Sequence, residues 1–183
     1  MISRRKIVLG GASLISCFGR FSHTSMARAA SPGQFEIVKS DEEWRRELTS
    51  EQHAVLRRHD TERAWTSPLN KEYRSGTYVC GGCDLPLFSS STKFDSKTGW
   101  PSFWAPIQGA VATSEDRSFF FLVRTEVHCH RCGSHFGHVF NDGPQPTGLR
   151  YCMNGVALKF VTVLGMHTPQ RTRANDPFAT DQV

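Results

Sequence analysis

Residues 119–132 read FFFLVRTEVHCHRC, a run of aromatic and β-branched residues that leads straight into a Cys-x-x-Cys pair. The run has strand composition and no helical spacing. A strand that ends in two cysteines two residues apart forms a knuckle, where both sulfurs can aim at one point. The same pattern occurs upstream, where TYVC (77–80) opens Cys80-Gly81-Gly82-Cys83. Two knuckles supply four thiolates, the set that encloses Zn²⁺ tetrahedrally in a closed, structural site. Cys83 and Cys129 lie too far apart for a compact zinc ribbon, so the fold itself must join the knuckles and the ion staples one end of the sheet. Two disulfides or a redox dithiol are the other uses of such pairs. A redox pair belongs at a helix N-terminus, and neither pair sits at one. The expectation is structural zinc on Cys80, Cys83, Cys129 and Cys132, with no organic cofactor.

Outward from the knuckles, the chain beyond Gly76 breaks into short apolar runs bounded by Gly, Pro, Ser and Asp: TYVC, LFSS, AVATS, FFFLVRTEVHC, HVFND and GVALKFVTVL. That is the signature of strands and turns. Upstream, residues 40–60 read as two short helices joined near Leu48. Ser40 and Glu43 form a capping box, Thr49 to Gln52 restarts the second helix, and Trp44, Leu48, Val55 and Leu56 are the apolar positions. The predicted architecture is a mainly β, antiparallel domain behind a helical pair. At 183 residues the chain fits one domain, large enough for a core that needs no disulfides. Residues 30–39 read as a linker, 40–165 as the domain and 166–183 as a polar tail.

The first 29 residues form a separate unit. They carry five of the 22 Lys and Arg residues and none of the 17 Asp and Glu, so the rest of the chain balances 17 against 17. The net charge of +5 therefore belongs to a targeting segment, and nucleic-acid binding loses its electrostatic support. Ser3-Arg4-Arg5-Lys6 before Ile7-Val8-Leu9 resembles a twin-arginine export signal, and Ala27-Arg28-Ala29 has the form a signal peptidase reads, which points to the periplasm. A mitochondrial or plastid transit peptide is the alternative, as is a lipid anchor at Cys17 in Leu14-Ile15-Ser16-Cys17. The apolar stretch is shorter than the ~20 residues of a membrane span.

Cys152 is the thiol left over. A lone strand cysteine is often only a small buried hydrophobe. Here Arg150 and Asn154 flank it at spacing two, so in a strand all three share a face, opposite Tyr151, Met153 and Gly155. A cation and an amide beside a thiol suit a nucleophile. His135 and His138, with Asp142, supply groups that exchange protons near neutral pH, although core or loop histidines are also consistent with the pattern. On the residues alone this is a Cys–His thiol enzyme with a zinc brace. A zinc-stabilised protein-binding module with an inert Cys152 and a cysteine hydrolase are the competing classes. No oxyanion hole can be assigned for the latter.

Together CGGC, FDSKTGWPSFW and CHRCGSHFGHVFNDGPQPTGLRYCMNGVALKF resemble the methionine sulfoxide reductase B family, from about Asp41 to Phe160. The resemblance implies two small antiparallel sheets in an open, barrel-like or tent arrangement, with N-terminal helices and a four-cysteine zinc. It implies reduction of methionine (R)-sulfoxide, free or in proteins. Cys152 would attack the sulfoxide sulfur and become sulfenic acid, and His138 or His135 would give a proton to the oxygen. Arg150 would favour the thiolate, Asn154 and Asp142 would fix the histidines and their water, and Trp100, extended by Phe103 and Phe140, would pack the methyl group. Phe119, Phe120 and Phe121 are expected in the core. Two-cysteine members carry a resolving cysteine just before GWP, where this chain has Thr98. A thioredoxin-like protein or a small thiol would then resolve Cys152, with the enzyme acting as a monomer.

Overall fold

The structure, a computed structural model, describes residues 35–119 and 122–162. The targeting segment, Cys17, the polar tail and the side chains of Phe119, Phe120 and Phe121 lie outside them. Two helices lead, α1 (Asp41–Glu47) and α2 (Ser50–Arg58), each opened by a full capping box, Ser40 with Glu43 and Thr49 with Gln52. Leu48 between them is extended, which breaks the helix where the second box begins. Trp44, Leu48, Val55 and Leu56 are buried. No helix among the described residues is long and apolar enough to cross a membrane.

Among the described residues nine strands follow: β1 (Gly76–Cys80), β2 (Pro86–Ser89), β3 (Lys93–Phe94), β4 (Ser102–Phe103), β5 (Val111–Phe119), β6 (Leu122–Cys129), β7 (His135–Phe140), β8 (Arg150–Met153) and β9 (Leu158–Thr162). They form a three-stranded sheet, β2-β1-β9, and a six-stranded sheet, β3-β4-β8-β7-β6-β5. All pairings are antiparallel and neither sheet closes on itself. The fold is the mainly β, two-sheet arrangement expected, with a larger second sheet. The run at 119–129 is split by the β5–β6 hairpin, because Phe119 pairs Leu122. GVALKF begins as a 3-10 turn, Gly155–Ala157, before β9.

The core lies between the sheets. Tyr78 and Phe88 from the smaller sheet meet Phe103 from the larger, with Phe88 and Phe103 stacked at 4.4 Å. Burying an aromatic ring of this size contributes on the order of 2–3 kcal/mol. Phe103 is fully buried there, which corrects its assignment to the substrate wall: side chains alternate along a strand, so Ser102 takes the other face of the short β4 and Phe103 points into the core.

Candidate active site

Antiparallel pairing places directly opposite residues on the same face of the sheet. In the six-stranded sheet Ser114 stands opposite Glu126, Glu126 opposite His138, His138 opposite Cys152, and Cys152 opposite Ser102. One rung thus carries an acid, an imidazole, a thiol and two hydroxyls. Two residues along, Asp116 faces Arg124 and Phe140 faces Arg150. The opposite face carries Val127 and Met153, both fully buried. This is why spacing two put Arg150 and Cys152 together in the sequence.

A cleft of ≈ 120 Å³ opens over this face, with Cys152, His138, Phe140 and Gly137 on its floor and Trp100, Thr61 and Asn154 among its walls. Gly137 sits opposite Met153 at φ 152, and a Cβ there would lie 2.2 Å from the Cys152 carbonyl oxygen, so only glycine lets β7 approach β8. A larger cleft of ≈ 240 Å³, which Trp100 also borders, is lined by Trp65, Tyr73 and Lys93 and holds neither thiol nor imidazole.

Cys152 is partly exposed. Its sulfur lies 3.8 Å from the Thr98 hydroxyl, which is joined through Ser96 to Ser102 at 2.8 and 2.7 Å. Arg150 makes a two-pronged ion pair with Asp142, 2.8 Å at each prong, and stacks over Phe140 at 4.4 Å. The Asp142 carboxylate raises the Arg150 pKa, and Cys152 beside it acts in the same direction. Asp142 itself is held below the usual carboxylate range by Arg150.

The histidines have other partners than expected. His138 lies 2.7 Å from Asp116, which also accepts from Arg124 at 2.6 Å. His135 is buried and its Nδ1 lies 2.7 Å from Glu126. Asp142 and Asn154 therefore do not fix the histidines. Asp142 is drawn to Arg150 because the guanidinium offers it a matched fork. Burial lowers the His138 pKa, and the hydrogen bond to Asp116 opposes that shift. Hydrogen bonds involving Ser118, His138 and Arg124 hold Asp116 far below the carboxylate norm.

Asn154, just past the end of β8, accepts from the Glu62 backbone N–H and donates to the Phe136 carbonyl, both at 2.9 Å. The Glu62 carbonyl in turn accepts from the Trp100 indole at 2.9 Å. The buried Glu62 carboxylate accepts from Gly155 N–H at 2.6 Å, and burial raises its pKa. Glu62 is thus the hub that ties the indole wall to the end of β8. The sequence reading missed Glu62, Asp116, Arg124 and Glu126. Acidic residues at alternate positions in strand runs were the available signal for Asp116 and Glu126.

Behind this face, Cys80 ends β1 and Cys129 ends β6, so the knuckles come from different sheets. Cys80 and Cys132 sulfurs lie 3.8 Å apart, and those of Cys83 and Cys129 3.6 Å. All four fall within 4.8 Å of one another. Four sulfurs at ~2.3 Å from a tetrahedral Zn²⁺ stand about 3.8 Å apart, and they are far beyond the ~2.05 Å of a disulfide. The donors fit zinc, which would join the two sheets rather than one end of one. Arg57 of α2 clamps this corner, stacking on Trp44 and donating to the Cys132 carbonyl at 3.1 Å.

Residues 48–162 match the family model described as the SelR domain. The chain is 52% identical over 126 residues to the peptide methionine sulfoxide reductase MsrB of Leptospira interrogans, covering 69% of this chain and 96% of that protein. It is 54% identical over 125 residues to the protein of the same name from Pseudomonas putida, covering 68% and 94%. With the protein of that name from Methanosarcina barkeri the identity is 50% over 129 residues, covering 70% and 91%. Fold, four-cysteine corner and sequence similarity agree, and the chain belongs to the SelR-domain family of MsrB methionine sulfoxide reductases.

Proposed function

We propose that this chain is a peptide-methionine (R)-S-oxide reductase acting on free and protein-bound methionine sulfoxide. The observation that carries the reading is the pairing of Cys152 with His138 across β7 and β8, beneath Trp100 in one small cleft. Trp100 and Phe140 receive the methyl–sulfur group, for which an aromatic wall is a soft, polarizable partner. The Cys152 thiolate attacks the sulfoxide sulfur while charged His138 gives the oxygen a proton. The oxygen then passes from the substrate sulfur to Cys152: the substrate's sulfur–oxygen bond and the transient sulfur–sulfur bond break, methionine leaves, and Cys152 is left as sulfenic acid. Cys152 is oxidised by two electrons and the substrate is reduced by two.

His138 stands in the cleft and is oriented by Asp116, which favours it over the buried His135 as donor. Arg150 lends positive charge beside Cys152, and Asp142 holds the guanidinium there. The four-cysteine zinc supplies only a tie between the sheets.

The sulfenic acid is resolved from outside. Among the described residues the other cysteines are the four of the metal corner, and the residue before GWP, Thr98, whose hydroxyl lies 3.8 Å from the Cys152 sulfur, is not a cysteine. A thiol of a thioredoxin-like protein or a small thiol attacks Cys152, releases water and forms a mixed disulfide, which a second thiol reduces. The chain works as a monomer, exported to the periplasm through its twin-arginine-like segment. N-terminal sequencing of the mature protein tests that, and a start within residues 1–17 contradicts cleavage at Ala29. For the activity, the two sulfoxide epimers are offered separately with dithiothreitol. Turnover of the R epimer alone, lost in Cys152→Ser, is expected, and equal turnover of both overturns the assignment.

A further inference from the structure

A second cluster of metal-ligating side chains lies beside the cleft and is not used by the reaction. His59, the residue that caps α2 in left-handed backbone (φ 58), Glu126 of β6 and His135 of β7 come from three separate elements. One oxygen of Glu126 lies 2.7 Å from His135 Nδ1 and 3.1 Å from His59 Nδ1. The two imidazoles face each other with centroids 4.8 Å apart. The other Glu126 oxygen is held by the Ser114 hydroxyl at 2.7 Å. The hydrogen bond from His135 pushes the Glu126 carboxyl down to about 2, so it is ionised and can only accept.

Two imidazoles and one carboxylate form the donor set that takes borderline divalent ions rather than calcium or magnesium. The three candidate ligand atoms fall within 4.8 Å of one another. Metal bonds of about 2.0–2.2 Å place such ligands about 3.3 Å apart, close to the 3.1 Å of Glu126 and His59 and about 0.6 Å wider than the 2.7 Å of Glu126 and His135. The His59 side chain is 61% exposed and free to adjust, whereas Glu126 and His135, only 12% and 3% exposed, part slightly as their hydrogen bond gives way to two metal bonds. To ligate through Nδ1, His135 must move its hydrogen to Nε2. That atom is buried and has no hydrogen-bond partner.

We infer that His59, Glu126 and His135 form an exchangeable site for a divalent transition-metal ion such as Zn²⁺ or Ni²⁺, distinct from the four-cysteine corner. Two buried ligands hold the ion, the exposed His59 closes over it, and water completes the coordination on the open side. Occupancy has a consequence that rests on the proposed reaction. Glu126 is the cross-strand partner of His138, and the His135 ring stands 5.6 Å from that of His138. A divalent charge there disfavours protonated His138, so bound metal slows turnover.

Ni²⁺ is the probe, added to the full chain carrying its four-cysteine zinc. Cys152→Ser is the background for binding, so that no free catalytic thiol competes. Calorimetry and metal analysis are expected to find Ni²⁺ bound with the zinc retained, and His59→Ala to weaken that binding by more than about tenfold. Because His59 is exposed, this variant tests the site without disturbing the core, and Glu126→Gln should weaken it at least as much. Binding of equal affinity in His59→Ala, or no uptake by the parent, overturns the site. With Cys152 present, Ni²⁺ should slow the parent relative to its own metal-free rate and slow His59→Ala much less. Equal slowing refutes the coupling to His138, and a chain without any reductase activity would still show the binding result.

Discussion

Replacing Asn154 by Ala removes two side-chain hydrogen bonds of unequal consequence. The Phe136 carbonyl keeps the Asn154 backbone N–H at 2.8 Å, so losing the amide donor costs about 0.5–1.5 kcal/mol. The Glu62 N–H loses its acceptor in a buried place, and an orphaned buried donor costs about 1–3 kcal/mol. The sum is about 1.5–4.5 kcal/mol, read as a shift in urea midpoint at constant slope. Because the Glu62 carbonyl holds the Trp100 indole, the same substitution lets the wall of the cleft move, and kcat/KM should fall by about tenfold to a hundredfold. The pH–rate profile should keep its position, since Asp116 and Glu126 hold the histidines. Asn154→Asp, which retains an acceptor for Glu62 N–H, should recover part of the stability. A stability loss below about 0.5 kcal/mol would refute this account of Asn154, and a displaced profile would return it to the histidines.

Asp116→Asn removes the carboxylate that raises the His138 pKa against burial, so that pKa falls further. Donation needs the charged ring, so the high-pH limb of kcat should move to lower pH, with a loss of about tenfold or more at neutrality; an unmoved limb means His138 is not the donor. Cys80→Ser should release the zinc and cost on the order of 5 kcal/mol, because the ion ties β1 to β6, as melting temperature and metal content will show. A variant that keeps its zinc and melts unchanged contradicts a structural site. Thr98→Cys brings a second sulfur to a position whose hydroxyl lies 3.8 Å from Cys152, so turnover without reductant should end in an internal disulfide detectable by mass spectrometry. Accumulated sulfenic acid in that variant would refute the geometry. Acidification should destabilise the fold as Glu126, ordinarily near 4.5, is titrated toward about 2. Its folded pKa is depressed, so its contribution is complete above the unfolded value and lost as pH falls to the folded one. A denaturation midpoint flat between pH 5 and 2 would contradict that.

What was legible in the sequence was what short range determines. The Ser40 capping box, the restart of the helix at Thr49, the knuckles and the alternation of Arg150 and Cys152 depend on neighbours within a few residues, and each is found in the structure. The two-residue strands β3 and β4 are too short to show any period, which is why Phe103 was assigned to the wrong face. The partners of the histidines come from β5 and β6 through cross-strand register, which no local pattern encodes. Asp142 lies four residues after His138 in the sequence, yet Asp116, 22 residues before that histidine, is its hydrogen-bond partner. Glu62 lies 92 residues from Asn154 along the chain, and only the folded backbone joins them.

The most direct trial of the chemistry is a single turnover. Without reductant, the R sulfoxide should give one methionine per chain at most, and peptide mapping should find one added oxygen on the sulfur of residue 152 alone. Continued methionine release in the absence of any thiol, or oxygen appearing on another cysteine while residue 152 stays reduced, would contradict the mechanism at its first step.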